Sequence, residues 1–131
     1  MAAKILLLDD EEAIRKILTL LLRKAGHSLI GVETGEQAIA EYRKHFEAGE
    51  KFDIVLLDMI VPGGKGGKDI MPDLLEIDPD IVALVASGDA ASTAVEEYEK
   101  YGFKGALAKP FSRAVVIEAL QTYVPHTIEA K

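Results

Sequence analysis

Hydrophobic residues in this chain fall into short unbroken runs separated by longer stretches of helical spacing. Lys4–Leu8, Ile54–Asp58, Ile81–Ala86 and Phe103–Ala108 are brief and mostly apolar, the pattern of strands buried on both faces. Ser28–Val32 is similar but less purely apolar, which suits an edge strand. Between these runs, Ile14, Ile17, Leu18, Leu21, Leu22 and Ala25 follow helical spacing, with acidic residues at the start and Gly26 at the end. Thr34-Gly35-Glu36-Gln37 has capping-box spacing and predicts a second helix that buries Ala38, Ile39, Tyr42 and Phe46 and ends near Gly49.

Pro72 is tolerated only in the first turn of a helix, so the third helix is expected to start near Asp69 and run to about Ile77. Asp78-Pro79-Asp80 is a turn, and a fourth helix is expected from about Ala90 to Lys100 on a thin face of Ala91, Ala94, Val95 and Tyr98. Gly102 ends it. Ser112 caps a last helix that buries Val116, Leu120 and Tyr123 and stops at Pro125. Five strands alternating with five helices imply an α/β fold, a parallel sheet with helices on both faces reached by right-handed crossovers.

The apolar runs end in polar residues. The first stops at Asp9-Asp10, the third at Asp58, the fourth at Ser87 and the fifth at Lys109. In a parallel sheet these ends share one edge, where ligands of such folds bind. Taken singly, each residue has an ordinary reading. Asp9-Asp10-Glu11-Glu12 suits a helix N-terminus, Ser87-Gly88 a turn, and Lys109-Pro110 the end of a strand. Their joint occurrence on four strands in order is the informative signal.

Composition narrows the classes. The chain has 131 residues, enough for one domain with a real core, with 49% hydrophobic and 28% charged residues. A net charge of −7 argues against broad attraction to nucleic acid or anionic lipid. No apolar run approaches a membrane span, no signal-peptide pattern opens the chain, and there is no cysteine, so a cytoplasmic location is expected.

Close carboxylates at Asp9, Asp10 and Asp58 repel one another and call for a cation, and a hard ion such as Mg²⁺ suits an all-oxygen set that leaves room for phosphate. Ser87 and Lys109 add a hydroxyl and a positive charge that suit phosphoryl oxygens, and a carboxylate such as Asp58 is a recognised nucleophile toward phosphorus.

These residues resemble the receiver domain of two-component response regulators. The resemblance runs from Lys4 to about Val124 and rests on Ile5 to Glu12, Asp58 followed by Pro62 and Gly66, Ser87-Gly88, and Lys109-Pro110-Phe111. It implies a flavodoxin-like, doubly wound five-stranded parallel sheet of order 2-1-3-4-5, a receiver domain over residues 1–124 and a tail over 125–131. It also implies phosphoryl transfer from a histidine kinase or phosphotransfer protein to Asp58. Asp10 would ligate Mg²⁺ directly, Asp9 mainly through water, and Ile60 through its backbone carbonyl; Ser87 and Lys109 would contact the phosphoryl oxygens. The Lys109–Pro110 peptide is expected to be cis. Signalling is expected through the face of the fourth helix, fifth strand and fifth helix, toward an unidentified protein target, from a monomer or weak homodimer.

Two positions depart from the family pattern or bear on its timing. Ala106 stands where an aromatic is common, three before Lys109, which removes an aromatic rotamer switch. Ile60 offers no side-chain hydrogen bond to an attacking water, so slow self-dephosphorylation is expected, although Asp89 could orient one. Rival readings are a docking module that is never phosphorylated and a Mg²⁺-dependent phosphatase with an Asp nucleophile. The second is disfavoured because Ile60 stands where its acid/base Asp belongs. Gly63 to Lys68 imitates a phosphate-binding loop, but Pro62 and Asp69 occupy two of its defining positions. The pattern of Gly-Gly-Lys repeats there resembles receivers attached to hybrid sensor kinases. His27, His45 and His126 show no ligand spacing and read as surface or tail positions. Tyr98, Tyr101 and Phe103 read as packing residues.

Overall fold

Continuous apolar runs become strands here because both of their faces are covered. The computed structural model describes residues 3–58, 65–87, 98–108 and 112–124. Strands β1 (Lys4–Leu8), β2 (Ser28–Val32), β3 (Ile54–Asp58), β4 (Ala83–Ser87) and β5 (Gly105–Ala108) pair in parallel in the order β2-β1-β3-β4-β5. This is the expected 2-1-3-4-5 order, with β2 at an edge. Helices α1 (Glu12–Lys24), α2 (Gly35–Glu47), α3 (Gly67–Ile77) and α4 (Arg113–Tyr123) are the α-helices among the described residues.

Alternate strand residues face opposite layers. Leu6, Leu8, Val55, Leu57, Ala83 and Val85 pack with Ala38 and Tyr42 of α2 and with Ile70, Met71 and Leu74 of α3. Ile5, Leu7, Ile54, Leu56, Leu84 and Ala86 pack with Leu18 and Leu22 of α1 and with Val116, Ala119 and Leu120 of α4. Between their polar end residues the central strands are therefore apolar throughout, since a residue of either parity meets a helix layer.

Helix ends follow their local chemistry. Thr34 and Gln37 form the expected capping box: Thr34 Oγ1 accepts from the Gln37 N–H at 3.1 Å, and Gln37 Oε1 accepts from the Thr34 N–H at 3.2 Å. Gly26 (φ 93°) and Gly49 (φ 76°) adopt the left-handed conformation just past α1 and α2. In α1 the Gly26 N–H bonds the Arg23 carbonyl and the His27 N–H bonds the Leu22 carbonyl, a Schellman closure. Ser112 caps α4, its Oγ accepting from the Val115 N–H at 3.1 Å.

Several boundaries differ from expectation. Helix α3 starts at Gly67, so Pro72 lies beyond the first turn. The early start follows from Asp69, whose Oδ2 accepts from the Gly66 N–H at 3.2 Å while the Asp69 and Ile70 N–H groups both bond the Gly66 carbonyl. Lys68 and Pro72 are both exposed, so the carbonyl freed by proline lies on the solvent side of the helix. Strand β4 begins at Ala83, because Ile81 is still held in the Asp78 turn, its N–H bonded to the Asp78 carbonyl. Strand β5 begins at Gly105. The expected fourth helix falls largely on residues outside the described set, and its described end, Tyr98–Tyr101, is a 3-10 turn. Tyr123 is only partly buried, and Pro125 and the tail lie outside the described residues.

On α1 the core-facing stripe is narrower than its spacing suggests. Leu18 and Leu22 are buried, whereas Ile17 is 54% and Leu20 51% exposed.

Candidate functional site

Two adjacent strands bring the acidic residues together. β1 and β3 pair with Leu8 opposite Leu57, so the residues that follow, Asp9 and Asp58, meet at the same edge. Asp9 remains tied to the sheet through its N–H, which bonds the Val32 carbonyl at 3.1 Å. Its Oδ1 accepts from the Glu11 N–H at 2.9 Å, at the corner where the chain enters α1. Asp9 is fully buried, Asp58 is 4% exposed, and Asp10 lies at the surface.

A carboxylate oxygen from each of Asp9, Asp10 and Asp58 lies within 4.8 Å of the others. Of the Asp9-Asp10-Glu11-Glu12 run, two residues therefore face this edge; Glu11 and Glu12 are exposed at the start of α1. Three hard oxygen donors with one member open to solvent fit a divalent cation that retains part of its water shell. Asp58 pairs with Ala86 in β4, and Ser87 follows as the last residue of β4, with its backbone paired to Ala108 of β5. Lys109 and Ile60, like Asp89, Gly88 and the Lys109–Pro110 peptide, lie outside the described residues. Ala106 is partly buried in β5 against the layer formed with α2 and α3.

Other polar residues were assigned differently by the sequence. His27 is buried, not a surface residue, and its Nδ1 accepts from the Ala3 N–H at 2.9 Å. The reason is the α1 closure: the second residue past the helix folds back toward the core, a position commonly used for an apolar contact. Burial, and to a lesser extent the positive chain terminus, holds the His27 imidazolium below its usual pKa. His45 is also partly buried, its ring 4.7 Å from that of Phe52 and its Nε2 3.3 Å from Glu41 Oε1.

Asp78, expected in a turn, is a buried junction. It accepts from the Tyr42 hydroxyl at 2.6 Å, from Lys51 Nζ at 2.8 Å and from the Asp80 N–H at 3.0 Å. Burial alone would raise its pKa; Lys51, Tyr42 and the Asp80 N–H outweigh it and hold the carboxyl below the usual range. Burial, followed by the bond to Asp78, pushes the Tyr42 hydroxyl well above the usual phenol range. The Asp-x-Asp spacing of a side-chain turn was visible in the sequence, and so was the burial of Tyr42; the pairing of the two was not.

Comparison with known proteins decides the family. The response regulator receiver domain matches residues 5–121. The chain belongs to that family. This receiver domain is 32% identical over 121 residues to the chemotaxis protein CheY of Thermotoga maritima, an alignment that covers 92% of this chain and 96% of that protein. It is 30% identical over 125 residues to sporulation initiation phosphotransferase F of Bacillus subtilis, with 95% and 96% covered. Among solved structures, a chain of the CheX-CheY-BeF3-Mg²⁺ complex from Borrelia burgdorferi matches with a TM-score of 0.78 and 26% identity, covering 92% of this chain and 87% of that one. The receiver domain of a Pseudomonas aeruginosa sensor histidine kinase, with a magnesium ion in its active-site cleft, shares the fold at a TM-score of 0.79 and 22% identity, with 95% and 99% covered. No helix among the described residues is long and apolar enough to cross a membrane.

Proposed function

We propose that this receiver domain accepts a phosphoryl group on Asp58 from the phosphohistidine of a histidine kinase or phosphotransfer protein, with Mg²⁺ held by Asp9, Asp10, Asp58 and the Ile60 carbonyl. The observation that carries this reading is the meeting of Asp9, Asp10 and Asp58 oxygens within 4.8 Å at the carboxyl edge of β1 and β3. Mg²⁺ would supply charge neutralisation at the transferring oxygens. An Asp58 carboxylate oxygen forms the new bond to phosphorus as the bond from phosphorus to the imidazole nitrogen breaks, and the imidazole departs with the electron pair. Ser87 and Lys109 receive the phosphoryl oxygens. The domain turns over no external substrate, and its output is a population shift at the face of the fourth helix, β5 and α4.

The relatives support the reading by chemistry. The Borrelia burgdorferi structure contains BeF3 and Mg²⁺, and the Pseudomonas aeruginosa receiver holds magnesium in its cleft. The donor is expected to dock on α1, which leaves the acidic corner directly and exposes Ile17 and Leu20 one turn apart. Receivers also occur within longer proteins: the chain spans 16% of the sensory/regulatory protein RpfC of Xanthomonas campestris, to which it is 31% identical.

A chemical trap tests the site. After incubation with phosphoramidate and Mg²⁺, borohydride reduction of an acyl phosphate leaves homoserine in place of aspartate. The proposal predicts homoserine at position 58; homoserine at another aspartate, or at none, contradicts it.

A further inference from the structure

Arg15 stands one turn into α1 yet reaches back to the acidic corner. Its Nη1 donates to the backbone carbonyl of Asp9 at 2.7 Å. The corner is also held through the Asp9 N–H to the Val32 carbonyl and through Asp9 Oδ1 to the Glu11 N–H. The Arg15 side-chain bond ties the strand end to the helix body. The position of the guanidinium is itself set from outside α1. The Arg15 stem lies across β2 at Gly31, where a Cβ would come within 3.1 to 3.2 Å of Arg15 Cβ, Cγ and Cδ. Gly31 pairs with Leu7 in β1, so the gap that admits the stem lies beside the strand that delivers Asp9.

We infer that Arg15, seated in the gap left by Gly31, is a positioning residue that holds the Asp9–Asp10 corner in its cation-binding geometry. This rests on the reading of Asp9 and Asp10 as cation ligands. A guanidinium near a cation site opposes the cation by simple Coulomb repulsion. Deletion of its charge therefore tightens Mg²⁺ binding if charge is all that matters, and weakens it if Arg15 acts by geometry. The two roles differ in sign.

The test compares wild type, Arg15→Ala, Arg15→Lys and Gly31→Ala by calorimetric titration with Mg²⁺, by amide hydrogen exchange at Asp10 and Glu11, and by thermal unfolding. The inference predicts that Arg15→Ala weakens Mg²⁺ binding by about tenfold, the order found when groups that orient metal ligands are removed. Exchange at Asp10 and Glu11 should quicken in the same variant. Arg15→Lys, which keeps a donor, should recover part of both losses. Gly31→Ala keeps the charge but crowds the stem, and should shift both readouts in the same direction. Unchanged or tighter Mg²⁺ binding in a folded Arg15→Ala protein overturns the inference, as does a fall in melting temperature alone with Mg²⁺ affinity and corner exchange intact. If wild type binds no Mg²⁺, it is the cation reading of the site that fails; the exchange data then still decide whether Arg15 holds the corner.

Discussion

At the scale of single residues, buried polar groups give the sharpest expectations because each has few partners to lose. His27 accepts a buried N–H through Nδ1, which requires the neutral ring. Its folded pKa is lowered from 6.5 by burial, so the unfolded chain binds the proton more readily. Stability from His27 is present above pH 6.5 and is lost as pH falls through the lowered folded value. Chemical denaturation across that window should show wild type weakening on acidification, with a flatter profile for His27→Gln. Asp78 carries a larger load. Its replacement by Ala leaves the buried Tyr42 hydroxyl without its acceptor and should cost about 2 to 3 kcal/mol, read from urea midpoints. The Ile60 side chain has no hydrogen-bonding group to offer a water, so Ile60→Asn is expected to speed loss of the phosphoryl group, measured as the decay of the phosphorylated form in the presence of Mg²⁺.

At the scale of elements, α1 shows why periodicity alone overstates a core. Ile17 and Leu18 are neighbours in sequence with opposite fates, Ile17 54% exposed and Leu18 1%. Leu18→Ala should destabilise by about 3 kcal/mol, as expected for a cavity in a packed layer. Ile17→Ser should change stability by no more than about 0.5 kcal/mol, yet slow phosphotransfer from a cognate donor if α1 is its docking helix. The central strands were legible in the sequence because two buried faces make their inner positions apolar, and the helix ends at Gly26, Gly49 and Ser112 were legible because caps are local chemistry. The start of α3 was not, because the rule for Pro72 competes with the backward cap of Asp69 onto Gly66. His27 was misplaced because its burial depends on a turn folding back, and Arg15 was not singled out because nothing near it in sequence indicates a bond to the Asp9 carbonyl.

At the scale of the whole molecule, parallel topology turns scattered polar residues into one edge. Strand order β2-β1-β3-β4-β5 places the ends of β1, β3 and β4 side by side, which is why Asp9, Asp10 and Asp58 meet although 48 to 49 positions separate them in the chain. That convergence was legible from four apolar runs ending in polar residues. The output was not, since Ala106 removes the usual aromatic and the expected fourth helix falls largely outside the described residues. The central claim is that Asp58 is the phosphoacceptor of a Mg²⁺-dependent site. Incubation with acetyl phosphate, with and without Mg²⁺, followed by intact-mass measurement of wild type and Asp58→Asn, tests it directly. The account predicts one added phosphoryl group on wild type only when Mg²⁺ is present, and none on Asp58→Asn. No Mg²⁺-dependent adduct on wild type, or an undiminished adduct on the variant, would contradict it.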